Sequence, residues 1–336
     1  MTRARVPGRV NLIGEWIDFN GGTVLPMALP QCVDLEMCTN GRGYDRVKSA
    51  EFPDTADFAI DAPASGHWSD YVRGGLHYAR RRGWISGGQD VMLSSAVPVG
   101  AGLSSSAATI VATLKAASAH VPGLDPAEIA FAAKSVENDF IGVPCGIMDQ
   151  MAVAVGTAGH ALALDTRDCS YQLIPVPAGW TFAVIHSGIA RALADGRYKA
   201  RREECLKAAE ALGVAHLCDG DPGLAEALPG PLARRARHVV SEGRRALDAA
   251  AALRSGDFLA FGALMNASHA SLREDFEVSV PEMDAMVRDA VDLGAAGARI
   301  TGAGFGGCFV CLIEAPLADA WWRGLHSRHP GTSRIA

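Results

Sequence analysis

Residues 98–114 read PVGAGLSSSAATIVATL. It follows the strand-like DVMLSS (90–95) and runs into a helical pattern in which Ile110, Val111, Leu114 and Ala117 share a face. Gly100, Gly102, Ser104, Ser105 and Ser106 therefore surround a helix N-terminus. Unsatisfied N–H groups and the positive end of the helix dipole favour an anion there, and the glycines let the main chain approach it. Serine hydroxyls add hydrogen bonds or a metal ligand. No lysine occupies the loop, so this is not the GxxxxGK[ST] loop. The charge of a triphosphate has to be met by a metal and by residues elsewhere, which calls for a magnesium-binding carboxylate. A capped helix after a flexible turn is the plainer alternative. Three serines between paired glycines and an apolar helix favour phosphate.

Outward from this loop the pattern divides. The first hundred residues hold short alternating or β-branched runs, RVNLI, VDLEM, DFAID and DVMLSS, between Gly, Pro, Asn and Asp clusters, and predict strands. A second helix begins at Asp125–Pro126, with Ile129, Ala133, Val136 and Phe140 on one face. Long helical patterns follow at 191–212, 232–254, 256–272 and 281–293. The chain then reads strand, glycine turn, strand in ARITGAGFGGCFVCLIE (298–314), with a last helical pattern over 317–325. Strands and helices without βαβ alternation predict an α+β protein of two lobes, residues 1–175 with the phosphate loop and residues 176–336, meeting near 166–180.

Composition excludes other classes. A net charge of −6 over 336 residues leaves no basic stripe for nucleic acid. The N-terminus lacks an apolar leader and no run approaches 18 apolar residues, so a cytoplasmic protein without a membrane partner is expected. The 8 cysteines are scattered through a chain too large to need disulfides, and reduced, mostly buried thiols are expected. Cys308 and Cys311 form one CxxC inside a strand pattern, which reads as burial rather than as zinc or redox chemistry. Gly302, Gly304 and Gly307 in TGAGFGGC fit GxGxxG, yet a strand follows where a dinucleotide fingerprint needs a helix. A glycine hairpin closing over an active site fits better.

Three polar constellations need chemistry. GRVNLIGEWIDFNGGTVLP (8–26) places Arg9, Glu15 and Asp18 in a glycine-punctuated turn suited to sugar hydroxyls, or to plain solvated turn residues. SVENDFIGVPCGIMDQ (135–150) puts Glu137 at a helix end and Asp149 at the start of another. SGIARALADGRYKARREEC (187–205) sets Asp195 and Tyr198 before a basic helix.

On these residues the chain resembles galactokinases of the GHMP superfamily nearly end to end. GRVNLIGEWIDFNGG is similar to their signature, PVGAGLSSSAA to the superfamily phosphate loop, CGIMDQ to the catalytic segment and TGAGFGGC to the third motif. HWSDYVRG (67–74) and NASHASLREDFEVSVPEMD (266–284) are similar as well. The resemblance implies two α+β lobes with the active site between them, and phosphoryl transfer from ATP to the anomeric hydroxyl of a hexose. It implies Asp149 as the catalytic carboxylate, taking or orienting the C1 hydroxyl proton, with Arg9 keeping it ionised. It implies Ser106 and Glu137 as Mg2+ ligands, and Glu15, Asp18, Gly146 and Tyr198 as sugar contacts. Trp68 matches a residue near the adenine. Gly100, Gly102, Ser104, Ser105, Ser106 and Gly304 complete the ATP-binding set.

One departure bears on the sugar. Galactokinases usually continue Gly-Glu with His-Thr-Asp-Tyr, and here stand Trp16, Ile17, Asp18 and Phe19. The resemblance places that histidine on the C6 side of galactose, so Trp16 adds bulk and leaves one indole donor. Galactose ranks first as acceptor, and a C6-modified or elongated sugar such as an octose phosphate second. A non-catalytic sugar and ATP sensor is disfavoured because the run Ser104, Ser105, Ser106, Ala107 and Ala108 is intact. A mevalonate or homoserine kinase predicts no galactokinase-type Glu15–Asp18 segment. Oligomeric state is left open.

Overall fold

The computed structural model describes residues 1–190 and 194–336, without the side chains of residues 194 and 195, so the Asp195 side chain lies outside the described residues. In chain order the elements are β1 (Thr2–Asn11), β2 (Thr23–Val24), β3 (Pro26–Thr39), β4 (Tyr44–Ser49), β5 (Ala56–Ala59), α1 (Asp70–Arg81), β6 (Gln89–Ser95), α2 (Ser105–Ala117), α3 (Pro126–Ser135) and α4 (Met148–Val155). There follow β7 (His160–Asp165), β8 (Tyr171–Pro175), β9 (Trp180–His186), α5 (Ala194–Leu212), α6 (Pro222–Glu226), α7 (Pro231–Ser255), α8 (Phe258–Glu274) and α9 (Pro281–Asp292). The chain ends with β10 (Gly297–Ile300), β11 (Cys308–Glu314), α10 (Ala318–Arg328) and β12 (Ser333–Arg334). This mixed helix-and-sheet arrangement is the α+β class expected from the sequence.

The chain forms two compact units. One comprises Met1–Arg9, Ala28–Val99 and Leu103–Ala158; the other comprises Val10–Met27, Gly100–Gly102 and Gly159–Ala336. Set beside the single boundary expected near 166–180, the units interleave along the chain, because residues 10–27 pack with the later residues.

In the first unit the strands lie in the order β1-β3-β6-β4-β5. β3 and β6 are antiparallel with Leu35 opposite Leu93, and β4 runs parallel to β6 with Val47 opposite Val91. These four side chains are buried, as period-two alternation requires. The helix α1 interrupts what the sequence reads as a strand-rich stretch. Its Gly75 faces α2 so closely that a Cβ would come 2.8 Å from Thr113 Cγ2. Asp125 caps α3 by accepting from Ala127 N at 2.9 Å, with Pro126 in the first turn, as the sequence predicts. The expected end of that helix at Glu137 is where the α-geometry widens into a π-helical turn, Val136–Ile141, closed by Gly142 in the left-handed region. Such turns displace side chains from the regular α-helical phase.

In the second unit β2, β7 and β8 form an antiparallel group, and a separate antiparallel sheet has the order β10-β11-β9-β12. Ile300 pairs with Phe309, so residues 301–307 are the turn of a hairpin and not the mouth of a βαβ unit. Cys308 and Cys311 are buried in β11, and all eight cysteines are free. The helices α7 and α8 pack together and α8 covers β10. Among the described residues no helix is long and apolar enough to cross a membrane.

Candidate active site

The phosphate loop takes the form its composition demands. Gly100 (φ 75°) and Gly102 (φ 77°) adopt the left-handed conformation, and Ser104 shares it at φ 60°. Ser104 stands at the N-cap of α2 without a side-chain cap bond. Its carbonyl accepts from Ala108 N, so the N–H groups of the first turn are left for a ligand. The Ser104 hydroxyl is committed elsewhere: it donates to Asp149 Oδ2 at 2.6 Å.

The other Asp149 oxygen, Oδ1, accepts from Arg9 Nε at 2.9 Å and from Arg9 Nη2 at 2.6 Å. Arg9 is only 4% exposed, while Asp149 is partly open. Arg9 is anchored because its N–H donates to the Leu103 carbonyl at 3.1 Å, joining the end of β1 to the phosphate loop. Asp149 itself is fixed by the first turn of α4, directly after buried Gly146, Ile147 and Met148. A fixed cation and a fixed hydroxyl thus hold one carboxylate by both oxygens, a charge-assisted arrangement that sets its orientation.

Glu137 completes this group. It is 8% exposed, and its Oε2 accepts from the Gln150 amide, with the Cys145 thiol 3.6 Å away. Burial pushes its pKa up to about 7 and the neighbouring Asp149 charge pushes the same way, against hydrogen bonds from Gln150, Ser106 and Cys145. The Oε1 atom of Gln150 is buried without a partner. A buried carboxylate, a second carboxylate nearby, a serine hydroxyl and an orphaned amide oxygen form an oxygen-lined, electron-rich place whose own charge is costly. That donor set fits a hard cation such as Mg2+. Among the described residues no group of three or more His, Cys, Asp or Glu side chains could hold a metal, so the protein would supply few of its ligands.

The other predicted residues fall in two further places. Trp68 lies just before α1, stacked on Phe52 (5.0 Å, 7°), with Nε1 donating to both Asp54 oxygens at 3.1 Å. In the second unit Glu15, 3% exposed, accepts through Oε1 from Gly302 N at 2.7 Å and Thr301 Oγ1 at 3.0 Å, with Arg299 Nη1 at 3.5 Å. The signature segment is thereby tied to the glycine hairpin. Gly304 is needed there on steric grounds, since a Cβ would lie 2.3 Å from the Val278 carbonyl oxygen. Trp16 is 4% exposed, at φ 67°, and packs against Tyr198 (4.8 Å) and Phe276 (4.9 Å). Its indole N–H is buried without a partner. Asp18 is half-buried.

Sequence reasoning passed over the residues that lock this segment. Glu242 is fully buried and accepts from Gly14 N (2.9 Å), Ser268 Oγ (2.7 Å) and Arg245 Nε (2.7 Å). Arg299, equally buried, donates to the Asn11 carbonyl and to Ser268 Oγ, both at 3.2 Å. His238 bridges the Glu15 carbonyl (3.2 Å) and Ser271 Oγ (2.9 Å), and burial lowers its pKa to about 4. Nothing in HVVSEGRR marks His238 and Glu242 as buried, because charged residues on a helix are usually solvated. Gln150 and Cys145 stand in CGIMDQ, and nothing in that segment signals their attachment to Glu137.

Comparison with known proteins gives the family. The family described as GHMP kinases N terminal domain matches residues 70–157, and GHMP kinases C terminal matches residues 249–329. The Galactokinase galactose-binding signature matches residues 2–35. The fold is shared with a Streptococcus pneumoniae phosphomevalonate kinase structure in complex with phosphomevalonate and AMPPNP (TM-score 0.76, 14% identity, covering 100% of this chain and 99% of that one). The chain is thus an ATP-dependent phosphotransferase of GHMP kinase fold. A Roseiflexus sp. (strain RS-1) galactokinase is 43% identical over 346 residues, spanning 99% of this chain and 88% of that protein. The Lactococcus lactis galactokinase structure complexed with galactose matches with TM-score 0.92 and 29% identity, over 99% of this chain and 92% of that one. The chain belongs to the galactokinase family.

Proposed function

We propose that the enzyme transfers the γ-phosphoryl group of ATP to the anomeric hydroxyl of a hexose, with galactose as first-choice acceptor. The observation that supports this most directly is the two-sided hold on Asp149 by Arg9 and Ser104 beside the phosphate loop. Asp149 orients the sugar hydroxyl and accepts its proton as the new bond forms. Arg9 holds Asp149 through charge-assisted hydrogen bonds and offsets charge developing at the attacking oxygen. Ser104 fixes Oδ2, and the N–H groups opening α2 receive phosphate oxygens. Ser106 and Glu137 would hold Mg2+, which when bound supplies charge neutralisation at the β- and γ-phosphates.

Glu15 presents only what its bonds to Gly302 and Thr301 leave free, so its first task is to hold the sugar-side segment in place. Asp18, Gly146 and Tyr198 remain the proposed direct sugar contacts, and Trp68 the proposed neighbour of the adenine. A second reading, a sugar modified or extended at C6, is favoured by one observation: Trp16 is sealed against Tyr198 and Phe276 and offers no accessible polar atom. An ADP-release assay across galactose, its C2 and C6 variants, other hexoses and longer sugars tests both readings. Galactose turning over fastest supports the first, and an extended sugar turning over fastest supports the second. No turnover with any sugar overturns the kinase assignment.

A further inference from the structure

The first unit holds an open cavity of about 370 Å³ between α1 and the π-helical turn, lined by Gly74, His77, Tyr78, Arg81, Asp139 and Phe140, with Arg82, Ser135 and Val136 also on its wall. That volume lies within the range of small-molecule sites, roughly 300–1,000 Å³. None of the residues assigned above to ATP, sugar or metal lines it.

Among the described residues its two exposed charged side chains, Arg81 and Asp139, lack the ion pairs that other arginines of α1 make, while Arg82 lies over the Trp84 ring at 5.8 Å. Two other arginines of α1 are paired, Arg73 with Asp70 at 2.5 Å and Arg80 with Asp45 at 2.5 Å. Among the described residues no hydrogen bond or ion pair engages the side chains of Arg81, Tyr78, His77 or Asp139. Arg81 and Asp139 line the same cavity without joining, so cation and carboxylate are both available to a ligand. The cavity is pinched at one end by Gly74, where a Cβ would come 2.5 Å from Val136 Cγ1 and 2.9 Å from Phe140 Cδ1.

These features select a ligand class. Arg81 and Arg82 call for an anion, and the guanidinium fork suits phosphate. Asp139 and Ser135 call for hydroxyl groups. The His77 and Phe140 rings pack on each other (5.6 Å, 34°) and give the groove an aromatic wall on which the C–H face of a pyranose can lie. We propose that this groove is a second ligand site that takes a phosphorylated sugar. The proposal does not depend on which sugar the active site phosphorylates.

The test titrates the full chain calorimetrically with galactose 1-phosphate, first alone and then with saturating galactose, Mg2+ and a non-hydrolysable ATP analogue. One binding event is expected to persist in the blocked enzyme. It should weaken at least ~10-fold in the double variant Arg81→Glu, Arg82→Glu, and inorganic phosphate alone should bind about tenfold less tightly, since it lacks the sugar contacts. Turnover without added sugar phosphate should be unchanged in the double variant, which reads the proposed kinase activity separately. Loss of the event in the blocked enzyme, an unchanged affinity in the double variant, or equal binding of inorganic phosphate would each overturn the proposal. Asp139→Asn, a milder change at an exposed position, should weaken the sugar phosphate and leave inorganic phosphate unaffected.

Discussion

Glu137 and Glu242 are both buried glutamates, yet their surroundings drive them in opposite directions. Burial raises each. For Glu137 the nearby Asp149 charge adds to that penalty, and its pKa is pushed up to about 7. For Glu242 the His238, Arg245 and Arg299 charges and the Ser268 hydroxyl outweigh burial, and its pKa falls to about 2. His238 is itself held neutral at physiological pH, so the two arginines carry the counter-charge there. A carboxylate surrounded by cations and N–H donors is finished as it stands and acts as a staple. One beside another carboxylate and an amide is incomplete, and a divalent cation would complete it. The first unit therefore holds a carboxylate whose burial is uncompensated, and the second holds a cation-rich network around Glu242 that fixes Gly14 and the segment around it.

The contrast can be broken most severely at Asp149. Asp149→Asn keeps the shape and loses the charge facing Arg9, and kcat should fall by about 10³-fold, the scale of general-base loss, while ATP binding measured by titration is largely kept. A normal kcat would remove Asp149 from the chemistry. Next comes the staple: Glu242→Gln leaves buried Arg299 and half-buried Arg245 with less counter-charge, and denaturant unfolding should report a loss of about 3–5 kcal/mol, as for a broken buried pair. A loss within error of zero would mean that solvent reaches the network.

At Trp16 the expected effect is smaller and lies in specificity. Trp16→His opens the aromatic contact with Tyr198, and the ratio of kcat/KM for galactose over longer sugars should rise about tenfold, the scale of one pocket contact. An unchanged ratio would make Trp16 a packing residue alone. The smallest effect is a pH dependence. Between the ordinary glutamate value of 4.5 and about 7, the native state keeps a proton on Glu137 that the unfolded chain has lost. Stability from this group is therefore present at low pH and declines as pH rises through that window. Thermal melts of metal-free protein should show this decline, Glu137→Gln should abolish it, and the apparent affinity for Mg2+ in the wild type should rise across the same window. A Mg2+ affinity independent of pH would sink the assignment of Glu137.

Much of the site was legible because it is local. The glycines and serines of 98–108 act through backbone conformation and helix-end polarity, and both are properties of adjacent residues. The same holds for Asp125–Pro126 at the start of α3, and for the strand in CFVCLIE that excluded a dinucleotide fold. The π-helical turn at Glu137 was not legible, since its Val136 and Phe140 pack against Gly74 of α1, a contact between residues more than 60 positions apart. Nor was the partnership of Gln150 with Glu137, 13 residues apart in sequence.

By itself the sequence determined the glycine-serine loop before α2, the α+β class and the hairpin at 301–307, all of which follow from short-range geometry and residue chemistry. Only the tertiary structure decided which charges are sealed and which are poised. It joined Arg9 to Asp149 across 140 positions and Glu15 to Gly302 across 287, and it turned Trp16 inward against Tyr198. The physical reason is that a side chain's charge state and reach depend on desolvation and on partners brought together by the fold. Those quantities have no signature along the chain.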